Sequence, residues 1–541
     1  MNKFFPAVLF LFLFSQLYAQ RSEFGRADSL RGSLSPLRTC FDVYSYKLDL
    51  TIDIGQMSIA GTGTTYFNIT STSDSIQLDL FRNLTIDSIV SNGIPLKFNR
   101  EEDAVFIKLP GPLTEGAKDS VTVYYKGQPL IAERPPWDGG FVWAQDSLGR
   151  PWVGVACEGI GASLWWPCKD HPSDEPDSIT MSFNVPSGLT CVSNGTLVAV
   201  DKTSPGLERY TWKVHYPINL YNVTLNIAHY AHFQDKYTRP DGSALDLDYY
   251  VLSYNLAKAK EHFKQVKTIL KCYEKYFGNY PFEKDGYALV ETPYWGMEHQ
   301  GAIAYGNKYK KNVGELDYII LHETGHEWWG NSVSTADHAE LWIHESFTTY
   351  GEALLVECLY GYKYALDYLE KQKPFIENKE PILGPKNVNF HYWEDSDMYY
   401  KGAWMLHTLR NVINDDSLWF DIIYGLSESF KYQVVTTEDI INYFNDKTGK
   451  DLSPVFYQYL TRASLPVLEI KTSRKKKQLT VEYRWAEVVP GFAMPVEFKV
   501  GDETIRVKPV TEGFQKEVFR GKGKNIAVRT DLFYTEVRFL D

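Results

Sequence analysis

Residues 321–330 read LHETGHEWWG, and this stretch decides how the rest of the chain is interpreted. In a helix, His322 and His326 lie one turn apart on the same face, so both imidazoles can bind one metal ion. Glu323 lies about 100° around the helix from His322, where its carboxylate can take a proton from a water beside the metal. The spacing therefore predicts two metal ligands and a general base.

A catalytic zinc ion usually has three protein ligands and one open position, so a third donor is needed. Residues 342–350 read WIHESFTTY, and Glu345 follows His326 after eighteen intervening residues. That length fits the end of one helix, a loop near residues 330–336 and a second helix that returns alongside the first. We predict Glu345 as the third ligand and one zinc ion per chain. The alternative is a chance occurrence of the five-residue motif.

The bulk composition indicates a multidomain globular protein. The chain has 541 residues, of which 44% are hydrophobic, enough to form substantial cores in two to four domains. Its net charge of −12 and isoelectric point near 5.6 argue against a nucleic-acid-binding protein, which normally has a basic face.

The N-terminus has the features of a secretory signal peptide. One lysine precedes an apolar run at 4–14, and a small residue, Ala19, stands at a suitable cleavage position. We predict cleavage after Ala19 and a periplasmic or extracellular protein; an uncleaved anchor is the alternative. No later stretch approaches eighteen apolar residues, so no transmembrane segment is expected in the mature chain. Six cysteines are compatible with disulfides or with buried thiols, and the pairing stays open.

Hydrophobic periodicity divides the rest of the chain into successive regions. Residues 20–43 are polar and predict a weakly ordered leader. Residues 44–252 contain short alternating runs typical of a β domain, and residues 253–464 change to helical spacing. Residues 465–541 return to short strands that predict a small C-terminal β-sandwich. The predicted fold class is therefore a multidomain α+β protein.

Two further motifs complete a resemblance. Residues 296–300 read GMEHQ and precede the predicted metal-binding helix, and residues 399–402 read YYKG. With the metal triad and the β–helical–β layout, the chain resembles the gluzincin aminopeptidases, the family of aminopeptidase N. The resemblance implies a thermolysin-like, mainly helical catalytic domain and a substrate-binding role for the GMEHQ segment.

The family motifs assign roles to individual residues. The resemblance implies that Glu298 binds the free α-amine of a peptide, while backbone groups of Gly296 and Met297 align the peptide like an added strand. It implies a second amine anchor at Glu158, for which a surface loop carboxylate is the alternative. Tyr399 takes the role of hydrogen-bond donor to the oxyanion.

Two residues depart from the family pattern within these motifs. His299 replaces the final Asn of the Gly-x-Met-Glu-Asn motif, and Glu327 stands where many relatives carry Gln. Both substitutions are expected to alter substrate positioning or the properties of the metal.

The resemblance implies a zinc aminopeptidase that removes single residues from the free N-terminus of peptides, and the predicted signal peptide makes it a secreted or periplasmic one. Zinc-activated water would be the nucleophile, with Glu323 as general base and then general acid. A thermolysin-like endopeptidase is one alternative, and a non-catalytic peptide-binding relative is another. The preferred first residue and the oligomeric state are not predicted.

Overall fold

The structure, a computed structural model, describes residues 24–389, 393–520 and 525–540. The predicted signal peptide, residues 1–19, lies outside this range. Within the described residues, no helix is both long enough and apolar enough to cross a membrane.

The N-terminal region consists of mainly antiparallel sheets, and its largest sheet contains one parallel pair of strands. The alternation predicted from Tyr46 to Ile54 appears in β1, where Tyr46, Leu48 and Leu50 are buried. The main sheet has the strand order β13-β14-β11-β1-β2-β8-β4-β5, and β1 pairs in parallel with β11. The strands of this region are β1 Phe41–Asp53, β2 Ser58–Ile69, β3 Ser73–Asp79, β4 Leu84–Ser91, β5 Ile94–Pro95, β6 Lys97–Glu101, β7 Ala104–Leu113, β8 Lys118–Gly127, β9 Gly140–Gln145, β10 Pro151–Ala156, β11 Ser178–Pro186, β12 Thr190–Ser193, β13 Thr196–Ser204, β14 Leu207–Val214 and β15 Leu225–Ala228.

The segment predicted as a weakly ordered leader is different in the structure. From residue 24 it forms two short helices, α1 (Arg26–Gly32) and α2 (Pro36–Thr39). Two of their arginines are buried in ion pairs with carboxylates of the β domain: Arg31 with Asp170 at 3.0 Å, and Arg38 with Asp79. A polar composition suggested exposure, but these charges are paired inside the fold, so the segment is held in place.

The boundary predicted at residue 252 is also placed differently. The hairpin formed by β16 (Tyr230–Thr238) and β17 (Ala244–Leu252) belongs to the sheet of the catalytic region, where β17 pairs in parallel with β18 (Tyr287–Glu291). The helices between β17 and β18 form the crossover that a parallel pairing requires. This sheet has the order β16-β17-β18-β20-β19, with β20 at Ile303–Tyr305 and β19 at Gly296–Met297 as its edge strand.

The helices of the catalytic region pack around the metal-binding motif. The disulfide Cys272–Cys358 joins α4 to α6, while the described residues Cys40, Cys157, Cys168 and Cys191 are buried free thiols. The helices are α3 Leu256–His262, α4 Val266–Phe277, α5 Tyr318–Gly325, α6 Trp342–Tyr360, α7 Tyr362–Glu370, α8 Asp397–Ile413, α9 Asp416–Ser429, α10 Thr437–Thr448 and α11 Ser453–Thr461, with the short strands β21 Val333–Thr335 and β22 Gln433–Val435.

The C-terminal region forms two small sheets with the orders β27-β24-β23-β29 and β26-β25-β28. Its buried side chains belong to the same hydrophobic cluster as those of the catalytic helices, so the two regions share a core. The multidomain α+β fold predicted from the sequence is confirmed. The strands are β23 Val467–Lys475, β24 Gln478–Ala486, β25 Val496–Val500, β26 Glu503–Val507, β27 Gln515–Arg520, β28 Ile526–Val528 and β29 Glu536–Leu540.

Candidate active site

Three predicted metal ligands meet between α5 and α6. The Nε2 atoms of His322 and His326 lie 3.2 Å apart. Oε2 of Glu345 lies 3.6 Å from Nε2 of His322 and 3.5 Å from Nε2 of His326. Helix α5 ends at Gly325 and not beyond the motif, but His326 keeps helical dihedrals as the C-cap residue. Glu345 lies in the first turn of α6, so two helix ends bring the three donors together.

The donor triangle fits a zinc ion. A tetrahedral zinc with ligand bonds of 2.0–2.1 Å requires donor atoms about 3.3 Å apart. The three observed separations bracket this value. Oε2 of Glu345 is also buried without a hydrogen-bond partner, which would be costly unless a cation compensates its charge. Two imidazoles and one carboxylate are therefore the donor set for a catalytic zinc.

Neighbouring groups orient both histidines with Nε2 towards the metal. Nδ1 of His322 lies 2.6 Å from Oε1 of Glu352. Nδ1 of His326 lies 2.9 Å from the carbonyl oxygen of Trp329 and 3.1 Å from Oγ1 of Thr348. These acceptors favour the tautomer with hydrogen on Nδ1 and a free lone pair on Nε2. These acceptor groups were not predicted from the sequence. The spacing offered one signal: Glu352 follows Glu345 by seven residues and so lies on the same face of α6.

Glu323 faces the edge strand of the catalytic sheet. A Cβ added at Gly296 would lie 2.5 Å from Oε1 of Glu323, so only glycine lets the β19 backbone approach the predicted general base this closely. Burial, strengthened by the nearby Glu298, raises the pKa of Glu323 to about 8. The carboxylate of Glu323 therefore sits in a dry site next to the metal donors and to the strand that carries Glu298.

Glu298 and Glu158 come together beside the metal donors. One carboxylate oxygen from each of Glu158, Glu298 and Glu345 lies within 4.8 Å of the other two. Oε1 of Glu298 accepts a hydrogen bond from Tyr221 at 3.0 Å, whereas Oε1 of Glu158 is buried without a partner. Burial raises the pKa of both carboxyls; repulsion from Glu298 adds to the rise at Glu158, and repulsion from Glu345 adds to the rise at Glu298. Glu158 is half-buried beside the metal donors, and a cation between these carboxylates would remove the unfavourable repulsion.

Tyr399 enters the site from α8. Its ring centroid lies 6.2 Å from that of His322. Burial and the carboxylates of Glu345, Glu158 and Glu298 raise the pKa of Tyr399 well above its ordinary value, so the hydroxyl stays protonated and can donate a hydrogen bond.

The residues after Tyr399 fix α8 against its neighbours. A Cβ at Gly402 would lie 1.8 Å from Oγ of Ser346, so glycine permits the close contact between α8 and α6. Nζ of Lys401 donates to the carbonyl oxygens of Arg462 and Ala463 at 2.9 and 2.6 Å. The motif at 399–402 therefore contains the hydroxyl group of Tyr399 and two residues, Lys401 and Gly402, that fix the position of α8. The sequence alone did not separate these roles.

The two departures from the family pattern are both buried. Glu327 accepts hydrogen bonds from Tyr280 at 3.1 Å and from the backbone N–H of Gly301 at 2.9 Å, so it ties the end of the metal-binding motif to the loop after Glu298. His299 is fully buried, and burial lowers its pKa to about 3. Neither side chain points to a direct metal contact.

Comparison with known proteins gives the family. The profile of the Peptidase M1 N-terminal domain matches residues 43–221, and that of the Peptidase family M1 domain matches residues 261–459. This chain belongs to the M1 peptidase family. The resemblance inferred from the motifs is thereby confirmed, and zinc, the cofactor of this family, is the ion that the donor set fits.

Curated relatives and solved structures agree with this assignment. Probable aminopeptidase 1 of Saccharolobus solfataricus is 22% identical over 494 residues, covering 84% of this chain and 58% of the relative. Aminopeptidase B of Mus musculus is 23% identical, covering 57% of this chain and 48% of the relative. The chain thus spans about half the length of the curated relatives it matches. An M1 zinc metallopeptidase from Deinococcus radiodurans has the same fold, with a TM-score of 0.67 and 21% identity, covering 81% of this chain and 97% of that one.

Proposed function

We propose that this protein is a zinc-dependent aminopeptidase that removes single residues from the free N-terminus of peptides. The observation that carries the proposal is a pair of carboxylates beside the metal donors: Glu298, which is buried, and Glu158, which is half-buried with Oε1 enclosed. An α-ammonium group is the peptide feature that would satisfy both of them. A substrate with a blocked N-terminus would leave them unpaired, at a cost of a few kcal/mol.

The substrate backbone has a natural place along the edge of the catalytic sheet. Among the described residues, strand β19 pairs with β20 alone, so its other edge can bind an extended peptide. With its α-amine at Glu298, the peptide runs back along β19 towards Gly296. Its first peptide bond then lies beside Glu323, because the Gly296 backbone approaches Oε1 of Glu323 so closely that an added Cβ would lie 2.5 Å from it.

The side chains around that bond supply the proton transfers and the charge stabilisation. Zinc held by His322, His326 and Glu345 would supply Lewis-acid chemistry for hydrolysis. Glu323 takes a proton from the attacking water and gives it to the leaving amine. Tyr399 donates its hydroxyl hydrogen to the carbonyl oxygen as that oxygen gains negative charge.

Hydrolysis of an unblocked aminoacyl amide and of its N-acetylated form by the same preparation tests this function. We expect hydrolysis of the unblocked form only, and Glu298→Gln should reduce kcat/KM for it. Equal rates on the two substrates would refute the proposal in favour of a thermolysin-like endopeptidase. If the wild-type protein hydrolyses neither substrate above the level of Glu323→Gln and binds no zinc, it is a non-catalytic peptide-binding protein.

We further propose that the protein is exported to the periplasm or the extracellular space. The apolar run at 4–14 and Ala19 support a cleaved signal peptide. The disulfide Cys272–Cys358 adds support, because disulfides persist in oxidising compartments. Fractionation of cells that express the full chain, combined with N-terminal sequencing, tests this; an intact N-terminus in the cytosolic fraction would contradict it.

A further inference from the structure

A run of aromatic side chains leads from the protein surface to a metal ligand. Tyr318 stacks on His322 with ring centroids 5.3 Å apart, and Trp295 stacks on Tyr318 at 5.8 Å. Trp137, from the N-terminal β domain, contacts Trp295 with ring centroids 6.2 Å apart and the rings tilted by 41°. We call Trp137, Trp295 and Tyr318 the aromatic wall. Both domains contribute to it, and the mechanism above uses none of its members.

The outer members of the aromatic wall are exposed although they are large and apolar. Trp137 is 67% exposed and Trp295 is 42% exposed. Covering such rings with another apolar group is favourable, and aromatic pairs add about 0.5–1.5 kcal/mol beyond the buried area. The wall is therefore suited to bind an apolar or aromatic group.

The two tryptophans are held in place by hydrogen bonds. Nε1 of Trp295 donates to Oδ1 of Asn307 at 3.2 Å. The backbone N–H of Trp137 donates to the carbonyl oxygen of Arg134 at 3.1 Å. Asp138 closes the same loop by accepting from the N–H groups of Glu133 and Arg134 at 2.7 and 2.6 Å. The Trp295 ring and the loop that carries Trp137 are thus fixed by hydrogen bonds, which lowers the cost of ordering them on binding.

The direction of the substrate chain indicates which residue reaches this wall. A peptide with its amine at Glu298 runs along the free edge of β19 towards Gly296, and Trp295 is the next residue of the protein in that direction. One residue of an extended chain covers about 3.3 Å, so the second residue of the peptide follows directly after the bond beside Glu323. Its side chain then lies nearest to Trp295.

We propose that the aromatic wall binds the second residue of the substrate and favours peptides in which that residue is aromatic. This inference rests on the proposed aminopeptidase function. It names a specificity determinant on the leaving-group side of the scissile bond, separate from the pocket for the first side chain. Trp137 is the most informative member because it lies in the other domain and is not adjacent to Gly296.

The test compares kcat/KM for the tripeptides Leu-Phe-Gly and Leu-Ala-Gly. We expect the wild-type protein to prefer the first, and both Trp137→Ala and Trp295→Ala to reduce that preference about three- to tenfold, as the loss of one aromatic contact implies. Trp295→Phe should keep most of the preference, since a phenyl ring can still stack on Tyr318.

Two controls separate this inference from the function on which it rests. Tyr424→Ala removes an aromatic ring that is 47% exposed on α9 and should leave the preference unchanged. A wild-type protein that hydrolyses neither tripeptide would refute the aminopeptidase proposal itself. Hydrolysis with the same preference in wild type and both alanine variants would refute only the aromatic wall. The proposal would also be overturned if the two alanine variants lost kcat/KM for Phe-Ala-Gly, in which the aromatic residue is first, as much as for Leu-Phe-Gly.

Discussion

Replacing Tyr399 with phenylalanine tests the reaction geometry with the smallest change. The substitution removes one hydroxyl group and keeps the aromatic ring, whose centroid lies 6.2 Å from that of His322 and 6.4 Å from that of Tyr400. Burial and the surrounding carboxylates raise the pKa of this hydroxyl, so the wild-type protein has a complete donor at neutral pH. One such donor to a developing oxyanion contributes about 2.7–4 kcal/mol, which corresponds to about 10²–10³ in rate.

We therefore expect kcat for an aminoacyl p-nitroanilide to fall about 10²–10³-fold in Tyr399→Phe, with KM nearly unchanged. The loss should fall on kcat because the hydrogen bond forms only as the carbonyl oxygen gains charge. Zinc content, measured by mass spectrometry, should equal that of the wild-type protein. Tyr400→Phe removes the neighbouring hydroxyl as a matched control and should retain activity within a few-fold. If kcat of Tyr399→Phe fell by less than about threefold, as in the Tyr400→Phe control, the proposed donor role of Tyr399 would be wrong.

Further predictions concern the groups that hold the site together. Glu352→Gln should weaken zinc binding about 10–100-fold, measured by competition with a chelator, because Glu352 orients His322. Gly402→Ala should lower kcat/KM at least tenfold and reduce the thermal midpoint, since the new methyl group meets Ser346 and displaces α8; Ser346→Gly in the same chain should restore part of both. Burial lowers the pKa of His407 to about 4, so the unfolded chain binds more protons between about pH 4 and 6.5 and stability falls as pH drops through that window. The thermal midpoint of His407→Gln should therefore fall less between pH 7 and pH 5 than that of the wild-type protein.

The metal site could be predicted from sequence because its geometry is local. His322 and His326 are related by one helical turn, and Glu345 needs only a short connection between two adjacent helices. Helix α5 ends at Gly325, but the two histidines still face the same side because His326, the C-cap residue, keeps helical dihedrals. Glycine at 325 also has a packing reason: a Cβ there would lie 3.1 Å from Thr348 on α6.

Long-range pairing could not be read in the same way. A period of two residues identifies β16 and β17 as strands, but it does not say which sheet they join. Their place in the catalytic sheet depends on the parallel pairing of β17 with β18, across two helices. Likewise, the polar residues 24–39 gave no sign that Arg31 and Arg38 would meet buried carboxylates from distant parts of the chain.

A network of asparagines at the domain interface holds Glu298, the proposed amine anchor, in position relative to the metal-binding motif. Asn194 donates to the carbonyl oxygen of Gln300 at 2.9 Å, and Asn219 donates to that of Gly330 at 2.9 Å. Asn331 donates to the carbonyl oxygen of Glu298 at 2.8 Å and accepts from Asn222. Loops of the N-terminal domain therefore hold both the segment that carries Glu298 and the end of the metal-binding motif.

This arrangement places the proposed amine-binding carboxylates on two domains. The catalytic region carries the metal donors, Glu323, Glu298 and Asn331, whereas Glu158 and the asparagines that bond to Asn331 and to the neighbouring loops come from the β domain. A small displacement at this interface would move the amine relative to the metal, and a misplacement of about 1 Å can cost about 10²-fold in rate. Asn222→Ala, which breaks the bond to Asn331 without touching any proposed catalytic group, should therefore lower activity on unblocked substrates while zinc binding is retained. Loss of zinc together with activity would instead indicate that the interface supports the metal site as a whole.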